Sequence, residues 1–151
     1  MKKNLSFSFF FLFAAVFVLV GAGCNRLDKQ ENSSSLSVTF NNPFTLAKGQ
    51  TVQMAVDDTT VLSLTFVNVE NDSRCPTDVQ CIRAGEAIIQ VQASLTSAPA
   101  QDLLLDTSAM ESVEYENYLI RILELTPVPT SGTQIEQSDY RVSLSVSKKT
   151  P

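Results

Sequence analysis

The sequence contains no histidine and no tryptophan. Without imidazole there is no side chain that titrates near neutrality in its ordinary state, no Ser-His or Cys-His dyad, and no His-ligated metal. Cations are also few. Eleven Lys and Arg stand against 16 Asp and Glu, a formal charge of -5, so the chain projects no basic field for nucleic acid. Rings are scarce where a core would need them: six of the nine Phe (Phe7, Phe9, Phe10, Phe11, Phe13 and Phe17) fall in the first seventeen of 151 residues. Beyond that stretch the core must come from Val, Leu and Ile. Carboxylates could in principle hydrolyse sugars as a pair, but no ring-stacking aromatics accompany them. The composition therefore points away from an enzyme and calls for no cofactor. There is no internal repeat and no sign of a second domain.

What the first segment does have is an address. Met1-Lys2-Lys3 is a short cationic start, Leu5 to Val20 is apolar apart from Ser6 and Ser8, and Gly21-Ala22-Gly23 leads directly to Cys24. A positive end, an apolar run and small residues form the layout of a secretory signal peptide. With Cys immediately after the small residues, the segment resembles a bacterial lipoprotein signal. That resemblance implies cleavage after residue 23, acylation of the Cys24 thiol, and a mature chain beginning at Cys24. One position departs from the usual pattern: Gly21 stands where an aliphatic residue is expected three before the Cys, with Val20 one step further back. The competing reading is an uncleaved membrane anchor, since Leu5 to Gly23 approaches the span of a bilayer core. The residues after Cys24 are mixed in sign and lack the positive cluster that marks a cytoplasmic stop. Acylation by more than one chain would give stable attachment, because each buried methylene contributes about 0.8 kcal/mol and a single chain is marginal. Asn25 stands where Asp would suggest inner-membrane retention, so the expected location is the cell envelope, lipid-anchored in the outer membrane and facing the periplasm or the cell surface.

Removing residues 1–23 leaves 128 residues with a charge of -7. Asn25 to Ser37 is polar and lacks an apolar period, so residues 24–37 read as a flexible tether that spans roughly 20 Å on random-coil scaling. Residues 38–151 remain as one domain, large enough to bury a core of its own.

From Leu36 onward the apolar period is two, the spacing of strands. Leu36, Val38 and Phe40 alternate with polar residues, as do Val52, Met54 and Val56. Leu62, Leu64 and Phe66 share one face before the apolar positions shift to Val67 and Val69, a phase change that suggests a bulge or a strand passing between sheets. Ile89, Val91, Ala93 and Leu95 form a further strand, Leu119 to Leu125 reads as a central one, and Tyr140, Val142, Leu144 and Val146 give the cleanest alternation. Leu103-Leu104-Leu105 makes a seventh. The expectation is an all-β domain, a two-sheet antiparallel sandwich of about seven strands in the general manner of immunoglobulin-like domains, with a small closed barrel as the alternative. Residues 109–118 have too poor a stripe for a helix and read as a loop or one helical turn. Tyr140 is expected to be an ordinary strand aromatic, the alternative being a hydroxyl that pins the preceding loop.

The run Asp72-Ser73-Arg74-Cys75-Pro76-Thr77-Asp78-Val79-Gln80-Cys81-Ile82-Arg83-Ala84-Gly85-Glu86 is the most informative stretch. With Cys24 assigned to lipid, Cys75 and Cys81 are an even pair in a compartment that permits oxidation, and a disulfide across five residues is feasible if the segment folds back as a turn. So short a loop stabilises by about 2 to 3 kcal/mol. A redox-active dithiol uses two intervening residues, and a metal site needs more ligands than two thiols, so a structural staple is favoured. Gly85 is expected at positive φ, reversing the chain into the next strand. The run Asp72 to Pro76 with Val79, Cys81-Ile82 and Ala84-Gly85 resembles a signature of small bacterial secreted proteins and lipoproteins of unknown function. In those proteins it sits between two strands and is followed by segments like Leu125 to Pro129 and Asp139 to Val142. The likeness covers roughly residues 50 to 147 and implies fold and compartment alone. At Arg83 the pattern usually has Trp, whose packing role would fall to the Arg methylene stem.

Acidic clusters occur at Asp57-Asp58, at Glu70-Asn71-Asp72 and from Glu111 to Glu116, but no calcium-loop motif arranges them. No metal site is expected, and Glu70 and Asp72 come nearest to one. Thr126 to Gly132, with Pro127 and Pro129, is a stiff loop that reads as a connection and alternatively as an inhibitor-like binding loop. Two functions from different classes follow. One is an envelope lipoprotein whose sandwich is a non-catalytic binding or structural module for an unidentified envelope protein or small ligand. The other is an inhibitor or a ligand- or calcium-sequestering protein acting through loops 70–86 or 126–132, with Arg74, Arg83, Pro127 and Pro129 as contact residues.

Overall fold

Alternating apolar and polar residues leave a strand with one wet face and one dry face, and two such sheets remove the dry faces from water by stacking. The computed structural model describes residues 36–108 and 112–150. Residues 1–23, read above as a signal peptide, Cys24, and the part of the expected tether up to residue 35 lie outside the described residues. Among the described residues are nine strands and no helix: β1 (Leu36–Ser37), β2 (Phe44–Ala47), β3 (Thr51–Ala55), β4 (Val61–Asp72), β5 (Ala87–Leu95), β6 (Ala98–Asp106), β7 (Ser112–Tyr115), β8 (Tyr118–Thr126) and β9 (Arg141–Lys148). They form a five-stranded sheet in the order β1-β3-β4-β5-β6 and a four-stranded sheet in the order β2-β9-β8-β7. The two-sheet sandwich is therefore present. The run from β3 to β6 meanders within one sheet and the run from β7 to β9 within the other. The dry faces meet in one core that includes Leu46, Val52, Leu64, Phe66, Ile89, Val91, Ile120 and Leu144, all with zero exposure. Each such side chain contributes about 2 kcal/mol of burial.

The phase change in β4 is a pair of bulges, between Phe66 and Asn68 and between Val69 and Asn71 opposite β5. They let Phe66 and Val69, three apart, both reach the core. β8 is the central strand that its two-sided apolar character suggested, flanked by β7 and β9.

Several expectations need correction. Leu36 and Ser37, placed above both at the end of the tether and at the start of a strand running to Phe40, are β1, which stops at Ser37, and they pair parallel with Val52 and Gln53 of β3 in an otherwise antiparallel structure. Leu36 stays exposed, so backbone pairing rather than burial holds it there. Phe44 to Ala47 was not expected to be a strand; it pairs with β9 and buries Phe44 and Leu46. The segment read as a loop or helical turn contains β7 at Ser112–Tyr115, while residues 109–111 lie outside the described ones. The triple-leucine strand starts earlier than expected, at Ala98, because β6 is an edge whose first half is wet on both faces.

Candidate functional site

Strand β4 is long enough to carry the chain past the end of the sandwich, and residues 73–86 continue outward from it before returning as β5. The hairpin ladder persists into this loop: Ser73 donates its N–H to Glu86 O at 2.7 Å and Cys75 donates to Ala84 O at 2.7 Å. The return crosses so close to the outgoing chain that only glycine fits at position 85. There φ is +69°, and an added Cβ would overlap the Ser73 carbonyl oxygen and lie 2.7 Å from its carbon. Beyond this crossing Cys75 and Cys81 form the disulfide, with Cα atoms 6.0 Å apart. The staple keeps the loop tip closed.

The loop after β8, residues 127–132, lies against the cysteine loop. Thr77 donates its N–H to Pro129 O at 3.0 Å, and Ser131 donates its N–H to Asp78 Oδ1 at 2.8 Å. That bond is the main reason the Asp78 carboxyl is held below the ordinary carboxylate range. Two segments far apart in sequence thus form one surface at this end of the molecule.

Arg74 fastens them. Its guanidinium donates from Nε to Asp72 Oδ1 at 2.9 Å, from Nη2 to Asp72 Oδ2 at 2.6 Å and to Pro127 O at 2.8 Å, and from Nη1 to Leu125 O. The planar fork serves a carboxylate on one side and two carbonyls on the other, which a lysine ammonium would not match. The hydroxyl of Tyr140, immediately before β9, donates to Asp72 Oδ2 at 3.0 Å. Side chains of Arg74 and Asp72 are only 14% and 10% exposed. Burial pushes the Asp72 carboxyl up, but hydrogen bonds from Arg74 and Tyr140 and the Arg74 charge outweigh it, leaving the group below its usual range. Burial and the bond to Asp72 push the Tyr140 hydroxyl up to about 12. The Tyr140 hydroxyl does not pin the preceding loop; its partner is the carboxylate of Asp72, the last residue of β4, 68 residues upstream.

A further bridge lies alongside. Gln137, between β8 and β9, accepts from Val69 N–H at 3.1 Å and donates Nε2 to Val69 O at 2.8 Å. β3 pairs with β4 only as far as Thr65, so Gln137 supplies an amide where a neighbouring strand would otherwise be needed.

A cleft of about 560 Å³ opens between these elements, with Arg74, Cys75 and Gly85 on one wall, Thr107 and Ser108 at its side, and Ile122 to Leu125 on the other. Its walls are mainly apolar. A smaller hollow of about 370 Å³ lies between Pro76 and residues 129–135.

Of the residues singled out in the sequence, Arg74 turns inward and is occupied by internal bonds. Arg83 is exposed on the cysteine loop. Pro127 and Pro129 present carbonyls to Arg74 and Thr77 rather than to solvent. Glu70 is exposed, whereas Asp72 is committed to Arg74 and Tyr140, so the two do not converge as cation ligands. No cluster of three or more His, Cys, Asp or Glu that could hold a metal occurs among the described residues. Cys24 lies outside them. Gln137 and Tyr115 escaped sequence reasoning, because a polar residue in a loop and a ring in a short edge strand carry no periodic signal. Tyr115 acts at the opposite end, where its hydroxyl donates to Pro99 O at 2.8 Å and accepts from Leu95 N–H at 3.1 Å. No family model, curated protein or solved structure matches this chain.

Proposed function

We propose that this chain is a bacterial envelope lipoprotein, anchored through an acylated Cys24 and facing the periplasm from the outer membrane or exposed at the cell surface. Its β-sandwich is a non-catalytic binding or structural module for another envelope component. The observation that carries this reading is the order cationic start, apolar run, small residues, Cys24. The Cys75–Cys81 disulfide supports it, since such a pair persists in oxidising compartments and is reduced in a cytosol. The shared surface of residues 73–86 and 127–132, with the cleft beside it, is the face we assign to binding.

The Pro127 and Pro129 carbonyls are already bound, which argues against an inhibitor that inserts residues 126–132 into a partner's groove. Mass analysis of the mature protein purified from its own membranes tests the proposal. A chain beginning at an acylated Cys24, with Cys75 and Cys81 oxidised, is the expected result. An unmodified Cys24 or free thiols at the other two would overturn it. Crosslinking in intact cells should then recover one recurrent envelope partner through residues of the two loops.

A further inference from the structure

The cysteine loop and the proline loop are joined at two levels. At their roots the joint is dense. Ser73 and Cys75 continue the hairpin ladder to Glu86 and Ala84, Gly85 crosses against Ser73, and Arg74 bonds the carbonyls of Leu125 and Pro127. None of these contacts needs the disulfide. At the tips the joint is thin: among the described residues, the hydrogen bonds that cross there are Thr77 N–H to Pro129 O and Ser131 N–H to Asp78 Oδ1. Thr77 and Asp78 both lie inside the ring that Cys75 and Cys81 close.

The rest of the ring has little else to hold it. Among the described residues, no hydrogen bond joins Gln80, Cys81, Ile82 or Arg83 to the body of the domain, and Val79 donates only to Pro76 O within the ring. Ile82 is fully exposed, at 103%, so packing does not fix this stretch either. The covalent bond is therefore what keeps residues 76–83 in one arrangement. Once it is cut, the chain beyond the Cys75–Ala84 pair is an open loop, and holding Thr77 and Asp78 in bonding position costs more closure entropy than two surface hydrogen bonds offset.

The bond is also within reach. Cys81 is exposed, whereas Cys75 is partly buried on the wall of the larger cleft. Exposed disulfides are the labile ones, because exchange depends on a thiolate gaining access to a sulfur. The tips cover a space of their own. The hollow of about 370 Å³ lies between Pro76 and residues 129–135, with Asp72, Arg74 and Tyr140 also lining it.

From these observations we infer that the Cys75–Cys81 bond is a reducible latch on the face assigned above to binding. A dithiol reduces it in the folded protein, the loop tips part, and the smaller hollow opens while the sandwich stays intact. A thiolate of the dithiol attacks Cys81 Sγ and the bond to Cys75 breaks, Cys75 leaving as a thiolate that takes a proton. The second thiolate attacks the mixed disulfide and expels Cys81, which takes the other proton. Two electrons and two protons pass to the protein, and the dithiol ends as a disulfide. The inference rests on the assignment of that face to binding and is independent of Cys24 acylation, so mass analysis of Cys24, crosslinking through the loops and the test of the latch fail separately.

Full-length protein in detergent is treated with dithiothreitol at neutral pH. Alkylation and mass analysis follow the thiols, and hydrogen exchange reads each segment. The expected result is reduction of Cys75 and Cys81 without denaturant, with exchange about tenfold faster in residues 77–83 and 130–132 and unchanged in β4, β5, β8 and β9. The Cys75→Ser, Cys81→Ser double variant should show the same pattern with no dithiol present. Reduction that begins only where urea unfolds the strands overturns the access. Free thiols with residues 130–132 still protected overturn the latch. Faster exchange throughout the strands overturns it as well, because the bond would then brace the whole fold.

Discussion

At one end of the sandwich the connections are short and self-satisfied. Asp57 Oδ1 accepts from Thr59 N–H, Thr59 Oγ1 and Thr60 N–H within 3.0 Å, and the β5–β6 turn is closed by Thr96 bonding Val61. These Thr59 and Thr60 bonds hold the Asp57 carboxyl below its ordinary range in a fully solvated turn. One buried side chain, Tyr115, ties the two sheets there, and it does so through backbone alone. At the other end the loops are long, project beyond the sheets, and are held by ions, a disulfide and an amide surrogate. Neutral hydrogen bonds to backbone suffice where little chain must be ordered. Where two long loops must be fixed against each other, the cost in conformational entropy is larger, and the charge-assisted bonds of Arg74 and the staple offset it.

That contrast can be broken by mutation, most severely at the loop end. Gly85→Ala removes the only backbone that fits against Ser73 and should destabilise by about 4 kcal/mol or prevent the cysteine loop from closing. Chemical denaturation reads the loss, and an unchanged midpoint would mean the crossing relaxes freely. Arg74→Met leaves the Asp72 carboxylate without its cation and two carbonyls without donors. A loss of about 3 kcal/mol is expected, together with faster hydrogen exchange in residues 127–132. If stability is kept while exchange rises, the network orders the loops without supporting the fold. Replacing both Cys75 and Cys81 by Ser should cost about 2 kcal/mol, since the closed loop is short. Limited proteolysis should then cut within residues 75–81, and resistance there would assign closure to Gly85 and the Pro127 loop instead.

Tyr115→Phe and Tyr140→Phe compare the two ends directly. Each should cost about 1 kcal/mol, but only Tyr140→Phe should alter the acid limb of stability, because only its hydroxyl meets a carboxylate. The sign follows from the shifts. Asp72 has a depressed folded pKa, so its contribution is present above the ordinary carboxylate range and disappears as pH falls through the depressed value. Tyr140 has a raised one, so its contribution is full below pH 10 and disappears as pH rises through about 12. Urea midpoints across pH should show the acid limb flattened in Asp72→Asn. An unaltered limb would place acid sensitivity at other carboxylates.

Sequence patterning made most of the sheet legible for a definite reason. β3, β4, β5, β8 and β9 each have one dry face over five or more residues, and a period of two cannot hide there. β2 and β7 are four residues long, and the first half of β6 is a wet edge, so none carries enough dry positions to stand out from turn chemistry. Gly85 and the Cys75, Cys81 pair were readable because their constraints are local. The Arg74 fork was not, since beyond its neighbour Asp72 its partners Leu125 and Pro127 lie 51 and 53 residues away along the chain, as Tyr140 lies 68 from Asp72, and are joined to it only by the stacking of two sheets.

What the chain determined by itself is the acidic, histidine-free inventory, the strand faces and the glycine that turns the cysteine loop. These depend on residue chemistry and near neighbours. Tertiary structure alone decided that the cysteine loop and the proline loop share one end and that Arg74 is a fastener rather than a free cation. Such relations arise from register and layer stacking, which bring distant segments into contact and leave no trace in either segment's own pattern.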